Sequence, residues 1–187
     1  GQTMNPSADD IAKACDKVLA KDVFVLPNNK NIILAAEQAK ALSKRKLHII
    51  PSHNIPQGLS AVLAFNPEDS VSNNETNMND AMQYVRAGMV TYAVRSTQVD
   101  NFDLKEGDII GIDSKSIVAK GENVNKVTTE LIDKMMDDEV TNITLYFGNN
   151  VSEEEATLIA NDLAGKYKKC DVDIHFGGQP LYYYIVS

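Results

Sequence analysis

The order of apolar and polar positions divides the chain into short strands and amphipathic helices. Two apolar runs, residues 23–26 and 47–50, have the length of buried strands, and a helical pattern rich in Ala and Leu over residues 32–42 separates them. Alternating strands and helices are typical of α/β proteins, in which a helix crosses over between parallel strands. The pattern therefore predicts an α/β fold with a mainly parallel sheet.

The remaining pattern predicts two lobes. Residues 66–79 are polar and contain Pro67, so we interpret them as a linker between a first lobe, residues 1–66, and a second lobe, residues 67–187. Asp113-Ser114-Lys115 lies between two apolar runs and predicts a β-hairpin inserted into the second lobe. The other predicted elements are helices near residues 11–19, 59–65, 80–87, 124–136 and 153–163, and strands at 89–95, 143–147, 172–176 and 181–186.

Two segments of the chain repeat one order of features. Residues 24–29 and 145–150 each end a strand with Asn-Asn, and a helix, a second strand and a loop with Gln, Gly and Pro follow at 55–58 and 177–180. The repeat indicates either two related α/β lobes or convergence on common turn chemistry. In α/β folds ligands bind at the carboxyl ends of the strands, where these loops are expected. Residues 1–6 look like another such loop without its strand, so we expect the chain to be part of a longer protein.

The charge is unevenly distributed between the two predicted lobes. The net charge of the chain is −8, with +3 on residues 1–66 and −11 on residues 67–187. An acidic lobe repels phosphate backbones, which argues against nucleic acid and favours a basic protein surface as partner. The alternative is that the acidic residues only keep the domain in solution.

Composition places the chain inside the cell. No apolar run approaches the ~20 residues that cross a bilayer, and no signal peptide is visible. Cys15 and Cys170 are too few for a disulfide framework and are expected to pack as reduced thiols. We therefore expect a cytoplasmic protein without a transmembrane segment.

The sequence contains no complete catalytic set. Motifs for a P-loop, a dinucleotide site and a nucleophile elbow are missing, and the three histidines have no metal-ligand spacing. The Gly177–Pro180 loop is expected to form a sharp turn rather than an anion site. The sequence has two carboxylate clusters, which are either solvated surface or contacts for a partner. The candidate partner-binding residues are Asp137, Asp138, Glu139, Glu153 and Glu154.

Several short motifs together resemble a known family. They are residues 2–7 (QTMNPS), 26–32 (LPNNKNI), 55–58 (IPQG), 64–67 (AFNP), 90–95 (VTYAVR) and 177–180 (GGQP) with Tyr183. The set is similar to the C-terminal domain of the kinase subunit of bacterial fatty acid kinase, whose N-terminal domain resembles dihydroxyacetone kinase (DAK2/DhaL). The resemblance covers essentially the whole chain.

The resemblance implies a two-lobed fold related to the DegV-like, fatty-acid-binding subunit of the same kinase. It implies a non-catalytic module that docks this fatty-acid-binding subunit, whose acyl chain is phosphorylated to an acyl-phosphate for phospholipid synthesis. ATP and Mg²⁺ then belong to the N-terminal domain, and no cofactor, metal or catalytic role falls on these residues. Other domains of the kinase, or a second copy of this one, are further expected partners. The alternative is a module that holds an acyl ligand between its lobes.

Overall fold

The structure, a computed structural model, describes residues 5–99, 102–113 and 116–187. The chain divides into two compact units, Gly1–Val85 and Arg86–Ser187. Most of the opening loop, residues 1–4, lies outside the described residues. The division falls at residue 85 rather than at residue 66, because the intervening segment packs with the first unit.

The first unit contains a parallel strand pair and four helices. β1 and β2 are joined through α2 and pair in parallel, with Phe24 opposite His48 and Val25 opposite Ile49. This confirms the predicted strand–helix–strand segment. The elements are α1 (Ala8–Asp16), β1 (Asp22–Val25), α2 (Ile33–Ala39), β2 (Lys46–Ile49), α3 (Ile55–Leu63) and α4 (Val71–Gln83).

Small side chains let α1 and α2 approach the strand pair closely. Ala12 and Cys15 of α1 pack with Ala36 and Ala39 of α2 against Leu47. α1 begins with a capping box in which the Ser7 hydroxyl accepts from the Asp10 amide and the Asp10 carboxylate accepts from the Ser7 amide. Burial raises the pKa of the Cys15 thiol, so this cysteine is packed as an apolar side chain and is not activated as a nucleophile.

The predicted linker is wrong: most of it is helix α4. Ser70 caps the helix by accepting a hydrogen bond from the Asn73 amide, and Met78 and Met82 pack with Ile50 and Ala61. Few positions of α4 are apolar, so its helical periodicity is weak and the segment reads as polar loop. The side chain of buried Asn74 binds the backbone of residue 66 through both its carbonyl and its amide, which fixes the approach to α4.

The second unit contains a six-stranded mixed sheet. Its elements are β3 (Gly88–Tyr92), β4 (Thr97–Val99), β5 (Phe102–Leu104), β6 (Ile109–Ile112), β7 (Ile117–Gly121), α5 (Val124–Met135), β8 (Asn142–Phe147), α6 (Glu153–Lys166), β9 (Asp171–Phe176) and β10 (Tyr184–Val186). β6 and β7 form the predicted hairpin; residues 114 and 115 of its turn lie outside the described residues. β4 and β5 form a second hairpin that the sequence pattern did not predict.

The expectation of a mainly parallel sheet is wrong. The strand order is β7-β6-β3-β10-β8-β9, and among the described residues β8 and β9 pair in parallel whereas the other neighbours are antiparallel. A helix crosses over between β8 and β9, as parallel pairing requires. β6 and β7 are joined by a tight turn, and β10 returns between β3 and β8, so these strands are antiparallel.

The core of the second unit lies between α5, α6 and the sheet. Leu131 of α5 and Ile159 and Leu163 of α6 are buried in one cluster with Leu145 and Tyr184 of the sheet. Because their side chains are almost fully removed from water, each contributes on the order of 2 kcal/mol to the free energy of unfolding. This cluster fixes the positions of β8 and β10, which carry the loops described below.

Tyr184 places a hydroxyl in this core without a hydrogen-bond partner among the described residues. Burial, and next the nearby Glu155 carboxylate, raise the pKa of Tyr184 to about 12 from 10.0. We expect Tyr184→Phe to raise the free energy of unfolding by about 1 kcal/mol at pH 7, because it removes a buried polar group that lacks a partner. Urea denaturation of the two proteins measures the difference.

The same group makes the protein sensitive to alkali. The pKa of the Tyr184 hydroxyl is higher in the folded protein than in the unfolded chain, so the unfolded chain ionises first. The free energy of unfolding is therefore unaffected by this group's ionisation below pH 10 and falls as the pH rises through about 12. The wild-type protein should therefore lose more stability than Tyr184→Phe between pH 9 and about pH 11. Parallel pH profiles of the two proteins would contradict this assignment.

Candidate functional site

The carboxyl edge of β1 and β2 carries a tightly bonded pair of loops. Asn28 follows β1 in a left-handed backbone conformation, with φ of 53°, and Ser52 follows β2. The Asn28 amide donates to the Ser52 hydroxyl at 2.9 Å, and this hydroxyl donates to the Asn28 side-chain carbonyl at 2.8 Å. Asparagine tolerates the left-handed conformation better than most residues, which accounts for its use here.

The start of α3 is locked onto the same edge. A Cβ on Gly58 would lie 2.0 Å from Oδ1 of Asn28, so only glycine lets the helix approach the loop this closely. Asn54 caps the helix by accepting from the Gln57 amide, and the Gln57 side chain accepts from the His53 amide. Two loops and one helix thus form a single hydrogen-bonded unit, and the orientation of α3 follows from it.

The Ser52 hydroxyl is committed to holding the two loops together. The Ser52 side chain is 0% exposed and its hydroxyl proton is directed to an amide carbonyl rather than to a base. A serine nucleophile needs a neighbouring base that takes its proton. Ser52 therefore stabilises the loops.

The outward side of α3 is apolar. Four residues of α3, spaced as i, i+4, i+7 and i+8, lie on one side of the helix and are all exposed. We call them the α3 face: Ile55, Leu59, Val62 and Leu63. Leu63 is 87% exposed, although the opposite side of α3 is buried through Gly58 and Ala61. A contiguous apolar stripe that points outward is typical of a binding surface.

The second unit has a comparable edge at the ends of β8 and β9. The Asn149 amide donates to the backbone carbonyl of Gln179 at 3.2 Å, and the Gln179 side chain donates to the carbonyl of Tyr146 at 2.7 Å. The amides of Gly177 and Gly178 both donate to the carbonyl of Phe147. These two hydrogen bonds hold the start of the loop against the end of β8. Both Asn-Asn loops thus follow the first strand of a parallel pair.

The predicted acidic residues lie in two separate places. Asp137, Asp138 and Glu139 precede β8, whereas Glu153 and Glu154 follow it in the first turn of α6. A strand of six residues spans about 20 Å, so the two clusters are at opposite ends of β8 and do not form one patch.

The first cluster is also partly neutralised. Asp137 forms an ion pair with Arg86, whose guanidinium also donates to the carbonyl of Met135 at 3.0 Å. This contact with Arg86 lowers the pKa of Asp137. Arg86 therefore offsets the unfavourable charge of Asp137 at the end of α5, a compensation that the sequence pattern did not reveal.

His48 forms a buried polar cluster that sequence reasoning did not identify. Its Nε2 lies 2.9 Å from Asp22 and its Nδ1 lies 2.9 Å from Glu75. The cluster connects β1, β2 and α4, so its role is to fix α4 on the strand pair. These three residues are widely separated in sequence, so no local motif marks the cluster.

Other classes of site find no support in the described residues. Across residues 5–99, 102–113 and 116–187, no three His, Cys, Asp or Glu side chains are grouped to hold a metal ion. Within the same part of the chain, no helix has the length and apolar character that a membrane span requires.

The fold of this chain is similar to that of a known class of α/β proteins. Solved structures of DegV family proteins superimpose on 97% of this chain: Cg2579 of Corynebacterium glutamicum with a TM-score of 0.69 over 82% of its own length, and a DegV lipid binding protein of Thermotoga maritima with 0.68 over 75%. The fatty acid kinase (Fak) B3 protein of Streptococcus pneumoniae, loaded with linoleic acid, gives 0.65 over 75% of its length. Their sequence identities are 14–15%, so the likeness concerns the fold alone: this chain has a fold similar to that of DegV family proteins.

The sequence places the chain within a family. The family model for the C-terminal domain of FakA-like fatty acid kinase subunits matches residues 1–187, and the chain belongs to this family. Protein YloV of Bacillus subtilis is 44% identical over all 187 residues, and a protein of Staphylococcus epidermidis is 35% identical. The chain spans 34% of the length of each of these relatives. The resemblance read from the sequence motifs is thereby confirmed.

Proposed function

We propose that this domain is a docking module of a fatty acid kinase and binds the DegV-like subunit that carries the fatty acid. The α3 face is the observation that carries the proposal, because an exposed apolar stripe stands on a helix whose start is locked by Asn28, Ser52 and Gly58. A rigid binding surface loses little conformational entropy when a partner binds. Membership of the fatty acid kinase family supports this choice of partner.

The size of the α3 face suits a central contact. Burying an aliphatic side chain contributes about 1.5–3 kcal/mol, so the four residues supply part of the binding free energy and the surrounding contacts supply the rest. Contacts of this kind form the dry centre of an interface, and polar residues form its rim.

The domain contributes binding and not phosphoryl transfer. Its polar edge residues are engaged in hydrogen bonds with one another, and the described carboxylates do not converge on a metal site. ATP and Mg²⁺ would be bound by other parts of the kinase, which would phosphorylate the carboxylate of the docked acyl chain. The acyl-phosphate would then serve phospholipid synthesis.

The two acidic clusters of the second unit are candidate partner contacts in their own right. Asp138 and Glu139 are exposed beside neutralised Asp137, and Glu153 and Glu154 are exposed at the start of α6. Exposed charges accelerate association with a basic partner and act over about 8 Å at physiological salt. Because the clusters lie at opposite ends of β8, we expect only one of them to face the docked partner.

Binding of the purified domain to a fatty-acid-loaded DegV-like subunit tests the proposal. We expect saturable one-to-one binding in isothermal titration calorimetry. Of two charge-reversal variants, Asp138→Lys/Glu139→Lys and Glu153→Lys/Glu154→Lys, one should weaken binding about tenfold and the other should match the wild type. Absence of binding by the wild-type domain would reject docking, and equal losses in both variants would reject a single interface at one end of β8.

A second candidate function is storage of an acyl ligand by the domain itself. The likeness to the Streptococcus pneumoniae protein loaded with linoleic acid favours it as far as the fold goes. Native mass spectrometry after incubation with oleate distinguishes the two functions. A bound acyl chain would support storage, and its absence together with one-to-one binding would support docking.

A further inference from the structure

A basic patch lies at the amino edge of β1 and β2, opposite the edge that positions α3. The chain leaving α1 and the chain entering β2 border an open depression of about 480 Å³ there. We call its lining the basic patch: Leu19, Ala20, Lys21, Lys44, Arg45 and Lys46.

Hydrogen bonds hold the two segments of the patch together. The Lys46 amide donates to the carbonyl of Lys21 at 2.9 Å. The Ser43 hydroxyl and the Lys44 amide both donate to one carboxylate oxygen of Asp16, at 2.7 and 2.8 Å. The patch is therefore part of the folded unit and not a chance grouping of side chains.

Nearby carboxylates offset the positive charge of the patch only in part. The contact with the Ser43 hydroxyl, and next the Lys44 amide, lower the pKa of Asp16, and the charges of Lys44 and Arg45 add a smaller effect. The contact with His48, and to a smaller extent the charges of Lys46 and Lys21, lower the pKa of Asp22. Among the described residues, Lys21, Lys44 and Lys46 have no carboxylate within 4.0 Å, and all three are exposed.

Exposed apolar side chains lie in or directly before the two segments that line the depression. Leu19 borders the depression and is 98% exposed, and its neighbour Val18 is exposed as well. Leu42, which precedes Ser43 and Lys44, is also exposed. Exposed leucine and valine beside lysines are the pairing found where proteins lie on membranes: the cations meet anionic headgroups and the apolar side chains enter the layer below them.

We propose that the basic patch binds the surface of a bilayer that contains anionic phospholipids. A bilayer satisfies both the exposed cations and the exposed leucine, whereas a free phosphate ion would leave Leu19 in water. A long nucleic acid would offer phosphates to the cations but no apolar layer for Leu19. The patch and the α3 face lie at opposite edges of one strand pair, so occupying one leaves the other accessible.

Vesicle sedimentation tests the proposal. We expect the domain to partition at least about tenfold more onto vesicles with phosphatidylglycerol and phosphatidylcholine than onto phosphatidylcholine alone, and to be released by high salt. Lys44→Glu/Lys46→Glu should abolish this difference, and Leu19→Ser should reduce binding about fivefold. The matched control, Lys168→Glu/Lys169→Glu, reverses the same charge at exposed positions after α6 and should bind as the wild type does.

Three outcomes would overturn the proposal. One is equal partition onto both kinds of vesicle, or unchanged partition of a folded Lys44→Glu/Lys46→Glu variant, with folding checked by circular dichroism. Another is complete release by millimolar inorganic phosphate at constant ionic strength, which would identify an anion pocket. The third is tighter binding to duplex DNA than to the anionic vesicles. None of these measurements involves the fatty-acid-carrying partner, so they are independent of the docking function.

Discussion

Simultaneous replacement of Leu59 and Val62 by aspartate is expected to cost at least about a hundredfold in affinity for the fatty-acid-loaded DegV-like subunit. Each substitution removes an apolar contact and leaves a charge that would have to be desolvated in the dry centre of the interface. A loss of this size corresponds to about 3 kcal/mol of binding free energy. Isothermal titration calorimetry of the variant and the wild-type domain measures it.

The control for this variant is another exposed leucine on a helix. Leu158 of α6 is exposed to an extent similar to Val62, and Leu158→Asp introduces one such charge, half of that in the double variant, in the second unit. Because Leu59 and Val62 point outward, the double variant should fold with a thermal midpoint close to that of the wild type. Wild-type affinity in a folded double variant, or an equal loss in Leu158→Asp, would remove the α3 face from the interface.

The local elements were largely predictable from sequence, whereas the pairing of the strands was not. Ser7 and Ser152 each precede a carboxylate by three residues, and both form the capping boxes that this spacing predicts. The sheet direction depends on which distant strands meet. β10 lies between β3 and β8, and nothing in the local pattern of residues 184–186 specifies those neighbours.

In the candidate site, too, local motifs were predictable from the sequence and contacts between distant residues were not. The Asn-Asn loops and the Gly-rich turns were visible as motifs, because they are local. The contact of Asn28 with Ser52 and Gly58 joins residues 24 and 30 positions apart, so it appears only in the fold. The acidic clusters are close in sequence, yet β8 separates them in space. The α3 face has a visible helical spacing, but the sequence cannot show that this side of the helix points outward.

The glycine at the end of β8 is expected to be the position of the second unit least tolerant of a methyl group. A Cβ on Gly148 would lie 2.1 Å from the carbonyl oxygen of Tyr182 and 2.6 Å from that of Gln179. Both atoms belong to the backbone, so no side-chain rotation relieves the clash. The Gly148 amide also donates to the carbonyl of Tyr183 at 2.9 Å, which holds this loop directly against the strand end.

We therefore expect Gly148→Ala to lower the free energy of unfolding by about 3 kcal/mol, the upper part of the range for overpacking. Hydrogen exchange should show lost protection in β8 and β10, whereas the first unit should exchange as in the wild type. Gly165→Ala is the matched control, because its Cβ would meet no atom within 4 Å and it lies in α6. That substitution should raise helix stability by about 0.5–1 kcal/mol. If Gly148→Ala unfolds at the wild-type urea concentration, the loop does not require glycine, and the close approach between the strand end and residues 179–182 is not what fixes this edge.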